Sequence, residues 1–122
     1  MEAPNDKKHL TGKEGGPIDL DVAASWTKSH RDKHPDHPVS HFFGKEVLHK
    51  ILAQEGCMGI RFYHGHNEKG EKHLIVVGAT SDGNDQLTIA ASDTIMTAHL
   101  ILDQSMTCPG NPGCPNNPLT GR

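Results

Sequence analysis

Three cysteines and ten histidines in a chain of 122 residues are the groups here that could do chemistry. Such a set is open to metal coordination, disulfide exchange or thiolate attack. Cys108 and Cys114 are separated by Pro109-Gly110-Asn111-Pro112-Gly113. That spacing allows a small disulfide loop, a pair of thiolate ligands or a plain surface tail. The compact knuckle of structural zinc sites, with two cysteines two to four residues apart, is absent, so a metal would need ligands recruited from elsewhere. Cys57 could supply one, although a free cysteine is most often a small buried hydrophobe.

Among the histidines, His30, His34, His37 and His41 fall close together, and the pairs 30/34 and 37/41 have the i, i+4 spacing that can chelate on a helix. Pro35 and Pro38 interrupt that helix, and histidines in a last helical turn already interact well with the helix dipole. His64 and His66, two residues apart on one strand, would share a face, with His73 approaching across the ladder. This is the better chelate geometry. Were a metal bound, its ligands would come from Cys57, Cys108 and Cys114 with His64, His66 and His73, with His99 as a further donor and zinc or an iron–sulfur cluster as the cofactor; solvated loop histidines and a plain cysteine tail are the simpler reading.

No Gly-x-Ser-x-Gly elbow, phosphate-binding glycine loop, His-Glu-x-x-His or dinucleotide fingerprint occurs, so an enzymatic role has little support. A hydrolase built on Cys57 would need a histidine such as His64 or His99 brought to it by folding. Asp82, Asn84 and Asp85 look like part of a calcium loop, yet the ordered ligand series ending in a bidentate Glu is missing, and a turn explains them better.

The elements that must position these residues follow from periodicity. Residues 1–17 mix Lys7, Lys8, Lys13 and Glu14 with glycines and carry Leu10 as their only large aliphatic residue after Met1. A flexible N-terminal tail is expected there. Leu20, Val22, Ala23, Trp26 and His30 then recur at helical spacing behind a capping Asp19, and Pro35 ends the helix. Ser40 is placed to cap a second helix with an inner face of Phe43, Val47, Leu48, Ile51 and Leu52, and Gly56 to close it.

Two β-rich runs follow, Gly56–His64 and His73–Gly78, around a Gly-containing turn. With Gly70 left-handed in a three-residue loop, Asn67 faces Glu71, His64 faces Leu74 and Phe62 faces Val76, a register preferred to that of a four-residue loop, which puts His64 opposite His73. Asp82-Gly83-Asn84-Asp85 turns the chain into a third strand over Leu87, Ile89 and Ala91. Residues 94–103 read as extended, although Ser92 or Asp93 could cap a short helix. The prolines of the Cys108–Pro118 stretch leave neither helix nor ladder strand. The expected fold is α+β: two N-terminal helices packed on a three- to four-stranded antiparallel sheet, a single domain over 18–104, and a Pro/Gly/Cys-rich tail over 105–122.

Several of these residues carry a resemblance. Ser40-His41-Phe42-Phe43-Gly44, Ile51-Leu52-Ala53-Gln54, Gly56-Cys57-Met58-Gly59-Ile60-Arg61, Tyr63, Val76-Val77-Gly78, Gly83-Asn84-Asp85 and the Cys-Pro tail with Asn117-Pro118-Leu119 resemble a family of small bacterial proteins. It is seen mainly in Bacteroidota and has no assigned function. The likeness covers residues 18–119 and implies a bacterial origin. The tail of that family more often reads Cys-Pro-Pro-x-Cys, which departs from the longer spacing here. A weaker likeness is to A-type iron–sulfur carriers, which also end in a close cysteine pair, although their spacings differ.

The composition excludes some classes. Fifteen acidic residues against 12 basic ones give a formal charge of −3 without a basic stripe, which argues against nucleic-acid binding. No apolar run approaches the roughly 20 residues of a membrane span, and the N-terminus lacks the apolar centre of a signal peptide. With an odd cysteine count, this predicts a cytoplasmic protein. The function expected is a non-enzymatic binding or assembly module, self-associating or docking a protein partner through Arg61, Tyr63, His64 and His66 and an uncovered sheet edge. The alternative is a metal- or redox-responsive protein using Cys57, Cys108 and Cys114.

Overall fold

The computed structural model describes residues 9–87, 89–91, 95–97 and 99–121. Among them the order is α1 (Leu20–Lys33), β1 (Ser40–Phe42), α2 (Lys45–Leu52), β2 (Cys57–His66), β3 (Lys72–Thr80), β4 (Ile89–Ala91), β5 (Ile95–Thr97) and β6 (Met106–Cys108). The class is α+β, with two helices and antiparallel pairing throughout, and no described helix is long and apolar enough to cross a membrane.

The β2–β3 hairpin organises the fold. Gly70 takes φ +80°, and Asn67 N–H donates to Glu71 O at 3.0 Å. That loop fixes the expected register, with His64 opposite Leu74 and Phe62 opposite Val76. β3 is the most buried element: Val76 is 0% and Val77 2% exposed, and Gly78 and Ala79 are buried beside them. α2 covers it. Its Ile51 is fully buried, Val47 and Leu48 are half-buried, and Leu52, expected inward, is exposed.

Gly78 is where this packing is tightest. A Cβ there would lie 2.5 Å from Gln86 Oε1, 2.9 Å from Cys57 Sγ and 3.1 Å from Ile51 Cγ2. Only glycine lets helix, strand and following chain approach so closely. Gln86, buried, donates through Nε2 to Glu55 O at 2.8 Å and accepts from Gln54 Nε2 at 2.8 Å, which satisfies its amide.

Among the described residues the expected three- to four-stranded sheet is not found. Each described sheet has two strands: β2–β3, β1–β6 and β4–β5. After the turn at Gly83 (φ +93°) the described chain pairs with β3 at isolated bridges rather than along a ladder, Ala79 with Asp85 and Val76 with Leu102. Ile89–Ala91 pairs instead with Ile95–Thr97, so the stretch over Leu87, Ile89 and Ala91 closes a short local hairpin rather than adding a long-range ladder. A short loop costs less entropy to close than a distant one. Within residues 94–103, β5 and the Leu102 bridge are extended, and the other described residues, 99–101 and 103, belong to neither helix nor ladder. Ser92 and Asp93, the alternative helix caps, lie outside the described residues.

Both helices also differ from expectation at their ends. Asp19 does occupy the N-cap of α1, without a side-chain cap bond, and the helix stops at Lys33, short of Pro35. Yet α1 buries no residue: Leu20 is 54%, Val22 40% and Trp26 66% exposed. It therefore does not pack on the sheet, because α2 already fills the hairpin's apolar face. The last turn holds His30, Arg31 and Lys33, which suit the helix dipole, and Lys28 pairs with Asp32 at 2.7 Å. Ser40 belongs to β1, where it pairs with Cys108, and Gly44 is the N-cap of α2. The C-terminal stretch thus contributes a ladder strand at its start: proline begins only at Pro109, leaving Met106–Cys108 free to donate.

The N-terminal stretch is also held in part. Leu10 N–H donates to Ser81 O at 2.8 Å. Glu14 accepts from the Thr11 and Gly12 backbones at 2.7 and 2.9 Å, bonds that draw its carboxyl down to about 2, the Thr11 bond foremost.

Candidate functional site

Two faces of the β2–β3 hairpin carry the side chains that could act. Successive strand residues point to opposite sides, so Arg61 and Tyr63 share one face while His64 and His66 lie on the other. The four residues expected to form one interaction surface are therefore split in two.

On the first face Arg61 and Tyr63 converge on Asp85. Arg61 Nη1 donates to Asp85 Oδ1 at 2.5 Å and to Gly83 O at 3.1 Å, and the Tyr63 hydroxyl donates to Asp85 Oδ2. The bond to Asp85 holds both the guanidinium and the phenol above their usual values. This clamp closes the Thr80–Asp85 turn onto β2. Thr80 Oγ1 donates to Asp82 and Asn84 N–H donates to Asp82 Oδ1, which keeps the Asp82 carboxyl ionised below its usual range, the Thr80 bond first. Gly83-Asn84-Asp85 is thus a built turn. Asp85, read from sequence as a turn residue in preference to part of a calcium loop, is its anchor.

The second group is a histidine-rich cleft of about 600 Å3 between the hairpin turn, the His37 loop and the chain entering β6, lined among others by His37, His66, Lys72, His73, Ser105 and Thr107. His34 and His37 stack beside it with ring centroids 4.6 Å apart, and His30 lies tilted against both at 5.2 and 6.0 Å. Burial and then the positive neighbours His34, Lys72, His30 and His66 push His37 below its ordinary value. Burial also lowers His41, whose Nδ1 lies 2.8 Å from Ser105 Oγ. His73 goes the other way. Its Nδ1 meets Asp103 Oδ1 at 2.8 Å, which raises the imidazole and lowers the carboxyl. Asn67 Nδ2 stands 3.2 Å from His73 Nε2.

The expected metal ligands are distributed as follows. Cys108 and Cys114 are bonded to each other as a disulfide, with Cα atoms 5.6 Å apart, so neither is a free thiolate here. Cys57, the free cysteine, is half-buried and donates Sγ–H to Gly59 O at 3.2 Å. It begins the strand that His66 ends, about 30 Å away at ~3.3 Å per residue. His64 and His66 lie opposite Leu74 and Lys72, whereas His73 lies opposite Gly65 and so on the other face of the ladder. His99 Nδ1 lies 3.0 Å from Leu87 O. Among the described residues no group of three or more His, Cys, Asp and Glu side chains is placed to hold a metal ion.

Asp103, Ser105 and Gln86 escaped the sequence reading, and Asn67 entered it only through the hairpin register. Asn67 had a signal, since an Asn opening a tight turn bonds the backbone beyond it, as its Oδ1 does from Lys69 and Glu71 N–H at 2.9 Å. The others act through long-range contacts that no local spacing encodes. No family model, curated protein or solved structure matches this chain.

Proposed function

We propose that this chain is a non-enzymatic binding or assembly module that works through the outer edge of β2. The observation that carries the reading is the state of that edge. Among the described residues β2 pairs with β3 alone, and no further backbone hydrogen bond reaches Met58–His66. Phe62 is 51% and Tyr63 45% exposed along it. A strand of this length with unpaired N–H and C=O groups and exposed aromatic residues is a template for strand addition by a second copy or a partner peptide. The N-terminal segment comes beside the start of the strand, where Leu10, Gly12 and Glu14 line a recess together with Met58–Arg61, so the available part is Phe62–His66.

The resemblance to the Bacteroidota proteins belongs to the same proposal. Arg61, Tyr63, Gly83 and Asp85, four of the residues that carry it, meet in the clamp that stiffens this strand. The test is sedimentation velocity over a concentration series, with Phe62→Lys as the edge-blocking variant and affinity capture of bacterial proteins alongside. Concentration-dependent dimerisation, or a captured partner, lost in Phe62→Lys supports the module. A monomer at every concentration with no Phe62-dependent partner ends it.

The disulfide favours a second reading, a redox-responsive protein. In a cytoplasmic setting the Cys108–Cys114 bond would form and break with the thiol poise of the cell. Its reduction potential decides this: a value near the cytosolic pool supports a switch, and one far below it makes the bond structural.

A further inference from the structure

Facing residues of an antiparallel pair alternate between those that exchange backbone hydrogen bonds and those that do not. In the β2–β3 hairpin Asn67 and Glu71 are a bonded pair, with Asn67 N–H donating to Glu71 O at 3.0 Å, and the register runs unbroken from His66–Lys72 back to Ile60–Gly78. Arg61, Tyr63 and Gly65 therefore bond β3, whereas Phe62, His64 and His66 turn their N–H and C=O groups outward. β3 keeps the same alternation. Its outward residues Val76, Gly78 and Thr80 are the ones that bond Leu102, Gln86 and Asn84. The outward residues of β2 meet no such backbone partner among the described residues. Strand edges are commonly guarded by charged side chains, lysine above all. Phe62-Tyr63-His64-Gly65-His66 holds no Lys, Arg, Asp or Glu.

We propose, resting on the edge reading above, that the occupant of this edge is the same edge of a second copy, paired antiparallel about a two-fold axis at His64. A two-fold interface sets residue i against j and j against i. The register with His64 against His64 of the second copy uses every outward position, because Phe62 then faces His66. A shift of two residues either way sets an outward residue against Ile60, beside the N-terminal segment, or against Glu68 in the turn. On the opposite face the same register lays Tyr63 beside Gly65 of the second copy, where no side chain fills the space. Both exposed aromatic residues of the edge thus meet a residue that can receive them, and no like formal charges are set opposite one another. The product is a four-stranded antiparallel sheet across two chains, in the order β3–β2–β2–β3.

The test is disulfide cross-linking by glutathione disulfide of His64→Cys and His66→Cys, each made in a Cys57→Ser chain, alongside sedimentation velocity. At the axis the His64→Cys thiols meet with Cα atoms about 5.5 Å apart, within disulfide reach, and close a covalent dimer as glutathione disulfide takes up their two electrons and two protons. His66→Cys lies four residues, about 13 Å along the strand, from its copy and stays uncross-linked. Gly65 sits in regular strand, and a Cβ there would be in ordinary contact 3.8 Å from Ile75 Cγ1. Gly65→Thr therefore folds, and it weakens self-association by roughly tenfold by displacing Tyr63 of the second copy. Thermal melts check the fold of each variant, and if His64→Cys does not fold, Gly65→Thr carries the test. A dimer lost in Phe62→Lys, yet cross-linked no faster through His64→Cys than through His66→Cys or indifferent to Gly65→Thr, overturns this arrangement and leaves the edge reading standing. A monomer that captures another protein through Phe62 overturns the second copy alone, and a monomer with no such partner ends both.

Discussion

The α2–β2–β3 body and the α1–β1–β6 half are held together by different physics. In the body, Ile51, Val76, Val77 and Ala79 form a dry centre against Gly78, and the buried Gln86 is fully engaged. In the other half α1 buries nothing, Phe42 and Met106 stand 65% and 53% exposed, and cohesion comes from a disulfide and polar tethers. Arg31 Nη1 reaches Leu119 O at 2.9 Å, and His30 Nε2 lies 3.4 Å from Pro38 O. A chain with only 34% hydrophobic residues fills one small core and must hold its remainder by other means.

The contrast breaks most visibly at its centre. Ile51→Ala should cost about 3 kcal/mol in a denaturant melt, because its void is walled by Gly78 and the strand and cannot collapse. Trp26→Ala on α1, though it removes a larger side chain, should stay within about 0.5 kcal/mol. Equal losses at the two positions would show that α1 is packed in solution. For the covalent tether, Cys108→Ser with Cys114→Ser should lower stability by about 2 kcal/mol, the chain-entropy value for so short a loop. Faster hydrogen exchange should then appear at Val39, whose N–H donates to Cys108 O at 2.6 Å, while β3 stays protected. Slow exchange at Val39 in the double variant would place the strength of that half in its backbone ladder instead.

Asp85→Ala should cost slightly less than that pair, about 1.5 kcal/mol, by leaving the half-buried Arg61 without its carboxylate. Tyr63→Phe should cost less again, and the two effects should not add if the clamp acts as a unit.

The smallest effect is in the pH dependence. His73 is raised by Asp103, so its contribution is complete below the ordinary value of 6.5 and is lost as pH rises through the higher folded-state value. His37 and His41 are lowered, so the folded state loses stability as pH falls below 6.5 through their lower folded-state values. The signs oppose each other within one cleft. His73→Gln should therefore leave the protein more acid-sensitive between pH 7 and 5, read as melting temperature; an unchanged profile would remove the Asp103 pair from the balance.

How much of this was legible in the residues differs by element. The Asn67–Gly70 turn set the hairpin register because turn chemistry and alternation are local, and Gly56 (φ +81°) took the left-handed position expected after α2. The apolar stripe of α1 was just as visible, yet periodicity says only that a face exists, not that anything remains to cover it. β1 and β6 were missed because each has three residues and neither is a strand without the other. At the site, the histidine excess was plain and its geometry was not: His73 falls opposite Gly65, on the face away from His64 and His66.

What the sequence alone determined was everything governed by neighbours along the chain: two helices, one long hairpin, its register and its turns. Tertiary structure decided which apolar face was buried, that Asp85 would lock Arg61 and Tyr63, and that Cys108 would meet Cys114 while Cys57 stayed apart. It also decided that six scattered histidines would crowd near a single cleft, since contacts across long separations depend on which surfaces win the limited core, a competition no local pattern records.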